Sequence, residues 1–304
     1  MQTGDENNSA PNAVPDTARL AAIRISGHDR ISFLQGQLTQ DVTLLTPAKP
    51  LLAGWASAKG RLLCAPWIAD WHEAVWLVLP GELAATVTNR LKMFVLRADV
   101  QVELTAARVR PASLDQLSEA TKSNNTLDNS DINHCLYNDN EFSIIPAGGV
   151  EMGIRIQPGL PETATEPATI ERWRLLNIRA GLPLIGAAVT EEFVPQMVNL
   201  DLLGAISFTK GCYVGQEIVA RTQNLGRIKR RMYAFNMPTA QPVAPGQAVY
   251  GRQGAVGQIV DAVVTATGTE MLAVIRIDSL EDSLSMEPDG QQPLTRLPLP
   301  YAIP

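Results

Sequence analysis

The chain has 304 residues, of which 45% are hydrophobic and 18% charged. That is an ordinary globular composition, neither disordered nor fibrous, and long enough to bury a core without disulfide staples. Lysine plus arginine is 25 and aspartate plus glutamate is 31, a formal charge of −6. A generic nucleic-acid coat is thereby excluded, and only a local basic patch could meet phosphates.

Cys64, Cys135 and Cys212 lie far apart and form no CxxC pair. This argues against a disulfide framework and against a self-contained zinc or iron–sulfur site. His28, His72 and His134 do not pair at ligand spacing either. No apolar run approaches the roughly 18–20 residues that span a bilayer. The opening, residues 1–18, is polar and acidic and lacks the character of a signal or transit peptide. It is expected to be a disordered lead-in to a cytoplasmic protein.

The elements are predicted as follows. Residues 19–26 read as a strand broken by Gly27, and residues 28–38 as a helix with Ile31, Leu34 and Leu38 on one face. Residues 51–56 and 61–69 read as two strands around the turn Ser57-Ala58-Lys59-Gly60, and 74–80 as a buried strand. Residues 81–96 place Leu83, Val87, Leu91 and Phe94 on one helical face, and 98–104 alternate as a strand. The polar stretch 121–133 reads as a surface loop or irregular insertion.

Short strands fit 141–146 and 150–157, followed by a proline-rich connector over 158–167. A helix fits about 168–180, with Ile170, Trp173, Leu176 and Ala180 on one side and Gly181 as its stop. From about 232 onward, short β-like runs separated by Gly, Pro and Asp suggest a small all-β module. The fold class is therefore α+β: antiparallel sheets with helices, ending in a small C-terminal β-barrel. The domain boundaries expected are 1–18, 19–230 (two subdomains, with a polar insertion near 121–133) and 231–304.

The densest cluster of unusual residues is Lys210-Gly211-Cys212-Tyr213-Val214-Gly215-Gln216-Glu217. Two glycines bracket a Cys-Tyr pair, so the backbone is expected to turn sharply, with a helix starting near Gly215. A thiol just before a helix N-terminus, with Lys210 two residues away, is biased toward thiolate. That makes Cys212 a candidate nucleophile or metal ligand. The plainer alternative is a small buried residue filling a tight turn. Cys64 sits in an apolar strand and reads as core. Arg221, Arg227, Lys229, Arg230 and Arg231 form a basic segment, either a seat for an anionic ligand or phosphate backbone, or a solvated face. No GxGxxG after a strand, GxxxxGK[ST], HExxH or GxSxG motif is present.

The run FVPQMVNLDLLGAISFTKGCYVGQEIVAR (193–221) resembles the signature of the YgfZ family, folate-binding proteins related to the T-protein of the glycine cleavage system. Ile25-Ser26-Gly27 with FLQGQLTQDV (33–42), Ala58-Lys59-Gly60-Arg61, WRLLNIRAGLP (173–183) and LPLPY (297–301) extend the resemblance over most of 19–304. It implies a ring-like, three-domain T-protein fold with tetrahydrofolate in the central cavity. It further implies a role in making or repairing iron–sulfur clusters, notably in radical enzymes that thiolate tRNA. Carried over, the motif cysteine falls on Cys212 and the motif lysine on Lys210. Two folate-contacting tryptophans fall on Trp173 and on Leu20, where this chain loses one aromatic wall. Tyr213, Gln216, Glu217 and Arg221 are the remaining folate-site candidates. The aminomethyltransferase relatives use an aspartate just after the hairpin glycine. Here Arg61–Ala69 holds no carboxylate, and the first acid is Asp70. That weighs against one-carbon transfer from an aminomethyl donor, which remains an alternative beside tRNA binding through Arg227, Lys229, Arg230 and Arg231.

Overall fold

A computed structural model describes residues 19–121, 133–147, 150–161, 165–224 and 227–304. The first sheet is built from β1 (Leu20–Ser26), β2 (Leu51–Leu52), β5 (Trp67–Trp71), β6 (Ala74–Pro80) and β7 (Gln101–Leu104) in the antiparallel order β2-β5-β6-β1-β7. Helices α1 (Arg30–Gln35) and α2 (Gly81–Lys92) cover one face. Alternation divides the side chains of β1: Ile23 and Ile25 pack with Leu34, Leu83, Val87 and Leu91 of the helices, while Ala22 faces the rest of the molecule.

The strands expected over 51–56 and 61–69 each divide in two. β3 (Trp55–Ala56) and β4 (Leu62–Cys64) leave the sheet and form a separate two-stranded ribbon. Gly54 donates its N–H to Thr39 Oγ1 at 2.7 Å instead of to a ladder, and Pro66 has no N–H to give. The helix expected over 81–96 stops at Lys92. Phe94 lies beyond it, 39% exposed, and so does not belong to the buried helical face.

The second sheet, in the order β8-β11-β10-β9, contains β8 (Arg108–Ser113), β9 (His134–Tyr137), β10 (Phe142–Ile145) and β11 (Met152–Gln157). Helix α3 (Leu114–Thr121) packs against it. The expected polar insertion at 121–133 falls almost wholly outside the described residues. Helix α4 (Pro167–Ala180) starts with proline in its first turn and ends at Gly181, φ 67°, a left-handed stop. Helix α5 (Gln216–Asn224) follows the Lys210–Gly215 loop.

The third sheet, β13-β14-β15-β12-β16, is formed by β12 (Arg230–Met237), β13 (Ala248–Gly251), β14 (Gly254–Thr265), β15 (Gly268–Arg276) and β16 (Thr295–Leu297). The three five- and four-stranded sheets share one apolar core: Val78, Ile154, Trp173, Met232, Val260 and Leu272 belong to the same buried cluster. Two ion pairs tie this core together. Arg174 of α4 meets Asp261 of β14, and Arg231 meets Asp201 at 2.6 Å, with all four side chains at least nine-tenths buried. Among the described residues no helix is long and apolar enough to cross a membrane.

Candidate functional site

The Cys212 loop is the end of a long strap that runs beside residues 36–40. Thr39 anchors its start: its hydroxyl donates to Ala205 O at 2.7 Å, and its carbonyl accepts from Ser207 N at 2.9 Å. Gln40 donates to Gly204 O. Lys210 Nζ donates to Leu38 O at 2.8 Å and to Gln40 O at 2.9 Å, and it lies 5.2 Å from the Tyr213 ring. Val214 N closes the strap on Gly36 O at 3.2 Å. Burial lowers the Lys210 pKa to about 8, opposed by the nearby Asp41 carboxylate, and pushes the Tyr213 phenol up to about 12.

Beneath the loop lies the tip of the β3–β4 ribbon. Gly215 has φ 79°, and a Cβ there would stand 2.4 Å from Ser57 O and 3.1 Å from Gly60 Cα. Gly60 has φ 68°, and a Cβ there would stand 2.6 Å from Ile218 Cβ. Each glycine is therefore required twice, for its backbone conformation and for the close approach. This contact joins the lysine–glycine hairpin to the cysteine motif, two sequence features separated by half the chain.

Of the three cysteines, Cys212 alone is exposed; Cys64 and Cys135 are buried. Desolvation pushes both buried thiols up to about 12, so neither supplies thiolate near neutral pH. Cys212 is thus not a filler of a tight turn. Its loop is held by the Lys210 ammonium, which is engaged with two carbonyls and points at the loop's scaffold. Helix α5 begins only at Gln216, after Tyr213-Val214-Gly215. Gln216 Nε2 donates back to Gly211 O at 3.5 Å. Glu217 and Arg221 are exposed on α5, and Tyr213 is buried.

Leu20 and Trp173 are brought together. They line a cavity of about 30 Å³ with Ala65, Trp67, Asn177 and Pro183. Trp173 Nε1 is buried with no hydrogen-bond partner among the described residues. An aromatic face, an orphan donor and an amide suit a pterin in chemistry. The volume holds about one water, whereas ligand pockets run to roughly 300 Å³ and more, so the cavity as it stands is too small for a pterin ring. Ala65, at this cavity, and Gly60, under the Cys212 loop, are opposite ends of one ribbon arm, at most about 17 Å of extended chain apart. Asp70, the first acid after the hairpin, lies in β5 and lines a different groove.

The basic segment is only partly a surface. Arg227, Lys229 and Arg230 are exposed. Arg231 is 2% exposed and forks onto Asp201 while donating to Gln196 O at 2.9 Å. It is a core residue, and the expectation that it contacts phosphate is corrected accordingly. Alternation along β12 explains this, since Arg231 and Arg230 face opposite sides. Sequence reasoning also missed Thr39, Gln196 and Asn199. Gln196 Nε2 donates to Val219 O and Asn199 Nδ2 to Met232 O. For Gln196 and Asn199 the signal was a polar residue inside an apolar run (VPQMVNL); Thr39 sits in the polar run QGQLTQ and left none.

These three sheets, with their shared core and the strap over the ribbon tip, define a T-protein-like fold. The glycine cleavage aminomethyltransferase T of Bartonella henselae superposes with a TM-score of 0.71 at 14% identity, over 92% of this chain and 83% of that one. The chain belongs to the YgfZ family. It is 27% identical over 301 residues to the tRNA-modifying protein YgfZ of Yersinia pestis, covering 93% of this chain and 90% of the relative. The protein of the same name from Hamiltonella defensa is 30% identical over 69% of this chain and 66% of the relative. That from Colwellia psychrerythraea is 28% identical over 75% and 72%. No family model matches the chain.

Proposed function

We propose that this protein binds a reduced folate and supports the synthesis or repair of iron–sulfur clusters in client enzymes, including those that thiolate tRNA, with Cys212 as the working group. The observation that carries this reading is the contrast among the thiols: two are sealed in the core, and the third is held out to solvent on a loop locked at both ends. The relatives' name, tRNA-modifying protein, is consistent with tRNA-thiolating clients. One thiolate is one ligand of the roughly four a cluster needs, so the client supplies the others. Lys210 is a positioning residue that fixes the loop. A bound folate would supply a reduced pterin, and Leu20, Trp173 and Asn177 are the residues that would hold it.

Calorimetric titration with tetrahydrofolate tests the cofactor. Wild type is expected to bind and Trp173→Ala to lose most of the affinity. Absence of heat with wild type at millimolar ligand would remove folate from the proposal.

The second reading, direct contact with tRNA, is favoured by the exposed Arg221, Arg227, Lys229 and Arg230 in a net-acidic protein. Binding of tRNA that weakens with salt and drops with Arg230→Glu supports it; binding indifferent to both disposes of it. The third, aminomethyl transfer, has no carboxylate after the hairpin glycine to steer protonation. Turnover of an aminomethyl donor with tetrahydrofolate by the purified protein would restore it.

A further inference from the structure

A groove of about 430 Å³ lies away from the Cys212 loop, where the first and second sheets meet. Its walls come from α1 (Arg30), the end of β5 and its turn (Asp70, Trp71, His72, Glu73), and the end of β9 and its loop (Tyr137, Asn138, Asp139). That volume is in the range of small-molecule pockets.

Two charged groups in it are left over by the fold. Asp70 is half-buried and makes no side-chain hydrogen bond or ion pair within the described residues; burial raises its pKa while Arg30 pulls it down. Arg30 donates one N–H to Gly27 O at 3.2 Å, and its Nε is buried without a partner. The two are close enough to feel each other, yet they form no salt bridge. Partly desolvated opposite charges that face one cavity without pairing leave both hydration deficits uncompensated. A ligand carrying one charge of each sign between them relieves both.

The rim adds selectivity. Glu73 and Asp139 are exposed at the mouth, so the lining carries three carboxylates against one guanidinium. Phosphate-bearing ligands are repelled and an additional cation is favoured. Trp71 and Tyr137 offer aromatic surface for such a cation and its stem. Trp71 is fixed in place: its Nε1 donates to Asn138 O at 3.0 Å and its ring meets His72 and Phe142. The two-residue turn is also unusual. His72 and Glu73 have φ 48° and 52°, where Asn-Gly is the ordinary choice. The turn retains side chains that reach the groove at the expense of backbone comfort.

We infer that this groove is a binding site for a basic α-amino acid, its carboxylate at Arg30, its α-ammonium at Asp70 and its side-chain cation toward Glu73 and Asp139. The site is separate from the Leu20–Trp173 cavity and stands whether or not that cavity takes folate.

Calorimetry on the full chain with L-arginine, and with agmatine, which lacks the carboxylate, tests it. L-arginine is expected to bind, and agmatine about tenfold more weakly, the loss of one charge-assisted contact. Asp70→Asn and Arg30→Gln are each expected to weaken L-arginine by a similar factor. Exposed Glu73→Gln, which leaves the fold intact, is expected to narrow the preference for L-arginine over L-glutamine. No heat from L-arginine at millimolar concentration, equal binding of agmatine, or an unchanged preference in Glu73→Gln overturns the inference.

Discussion

Gly60 and Gly215 meet backbone to backbone: the Cβ that alanine would place at 215 falls 3.1 Å from Gly60 Cα, with Ser57 O nearer still at 2.4 Å. The cysteine loop is seated on the ribbon tip by this contact and by the left-handed φ of both residues. Gly215→Ala is expected to cost about 1–3 kcal/mol, from strain and from a displaced contact that is backbone and so has little room to give. Gly60→Ala meets the Ile218 side chain and is expected to cost a similar amount. Denaturant melts of the two variants, read beside Cys212 labelling rates, check this. Wild-type stability in both would mean that the seat does not constrain the loop.

Thiol accessibility separates the cysteines. In native protein a maleimide or thiol–disulfide reagent is expected to label Cys212 alone. All three thiols should be labelled after unfolding. Mass spectrometry of the labelled chain reads the sites directly. Native labelling of Cys64 or Cys135 at comparable rate would contradict the burial described above.

Lys210 carries a pH signature. Its pKa falls from an ordinary 10.5 to about 8 because burial penalises the ammonium. Between those values the unfolded chain binds the proton more fully than the folded one, so stability from this group rises with pH. The penalty is fully present below about pH 8 and is relieved as pH climbs toward 10.5. Wild type is therefore expected to gain stability relative to Lys210→Met between pH 8 and 10. A pH-independent difference would show that the two carbonyl contacts offset the burial.

The pair Arg174–Asp261 ties α4 to the third sheet in the core. Asp261→Ala alone leaves a buried guanidinium and is expected to cost about 3–5 kcal/mol. The double variant Arg174→Met/Asp261→Leu is expected to recover much of that loss, since an apolar pair removes both desolvation penalties. Chemical denaturation of the single and double variants measures the difference. A double variant no better than the single would show that Arg174 matters for its bond to Ala262 O at 2.8 Å as well.

Much of this fold was legible in the sequence, and the misses have local causes. Loose alternation found β1, an unbroken apolar run found β6, short β-like runs punctuated by Gly, Pro and Asp found most of the third sheet, and proline with glycine bracketed α4. The helix ending at Lys92 was overrun because Met93-Phe94-Val95-Leu96 continues the apolar pattern past the last turn, where Met93, Phe94 and Leu96 are exposed. β8 went unread; Pro111 stands within it, and it is the antiparallel pairing of Arg108–Ser113 with Met152–Gln157 of β11 that makes it a strand. At the site, the sequence marked Cys212 and Lys210 but not their relation to the scaffold. A lysine beside a cysteine reads as a charge on the thiol. The carbonyls of Leu38 and Gln40 that hold it come from far along the chain and leave no local trace. Arg231 read as surface because its neighbours are charged; the partner that buries it, Asp201, is remote in sequence.

On the proposed function, the Cys212 thiol does the work and the rest of the site presents it. Cells lacking the wild-type protein, supplied with Cys212→Ser and assayed for thiolated tRNA nucleosides, test this most directly, with folate affinity and melting temperature of the purified variant as controls. Thiolation is expected to fall to the level of cells without the protein, while both controls stay at wild type. Full restoration of thiolation by the serine variant would show the sulfur to be dispensable.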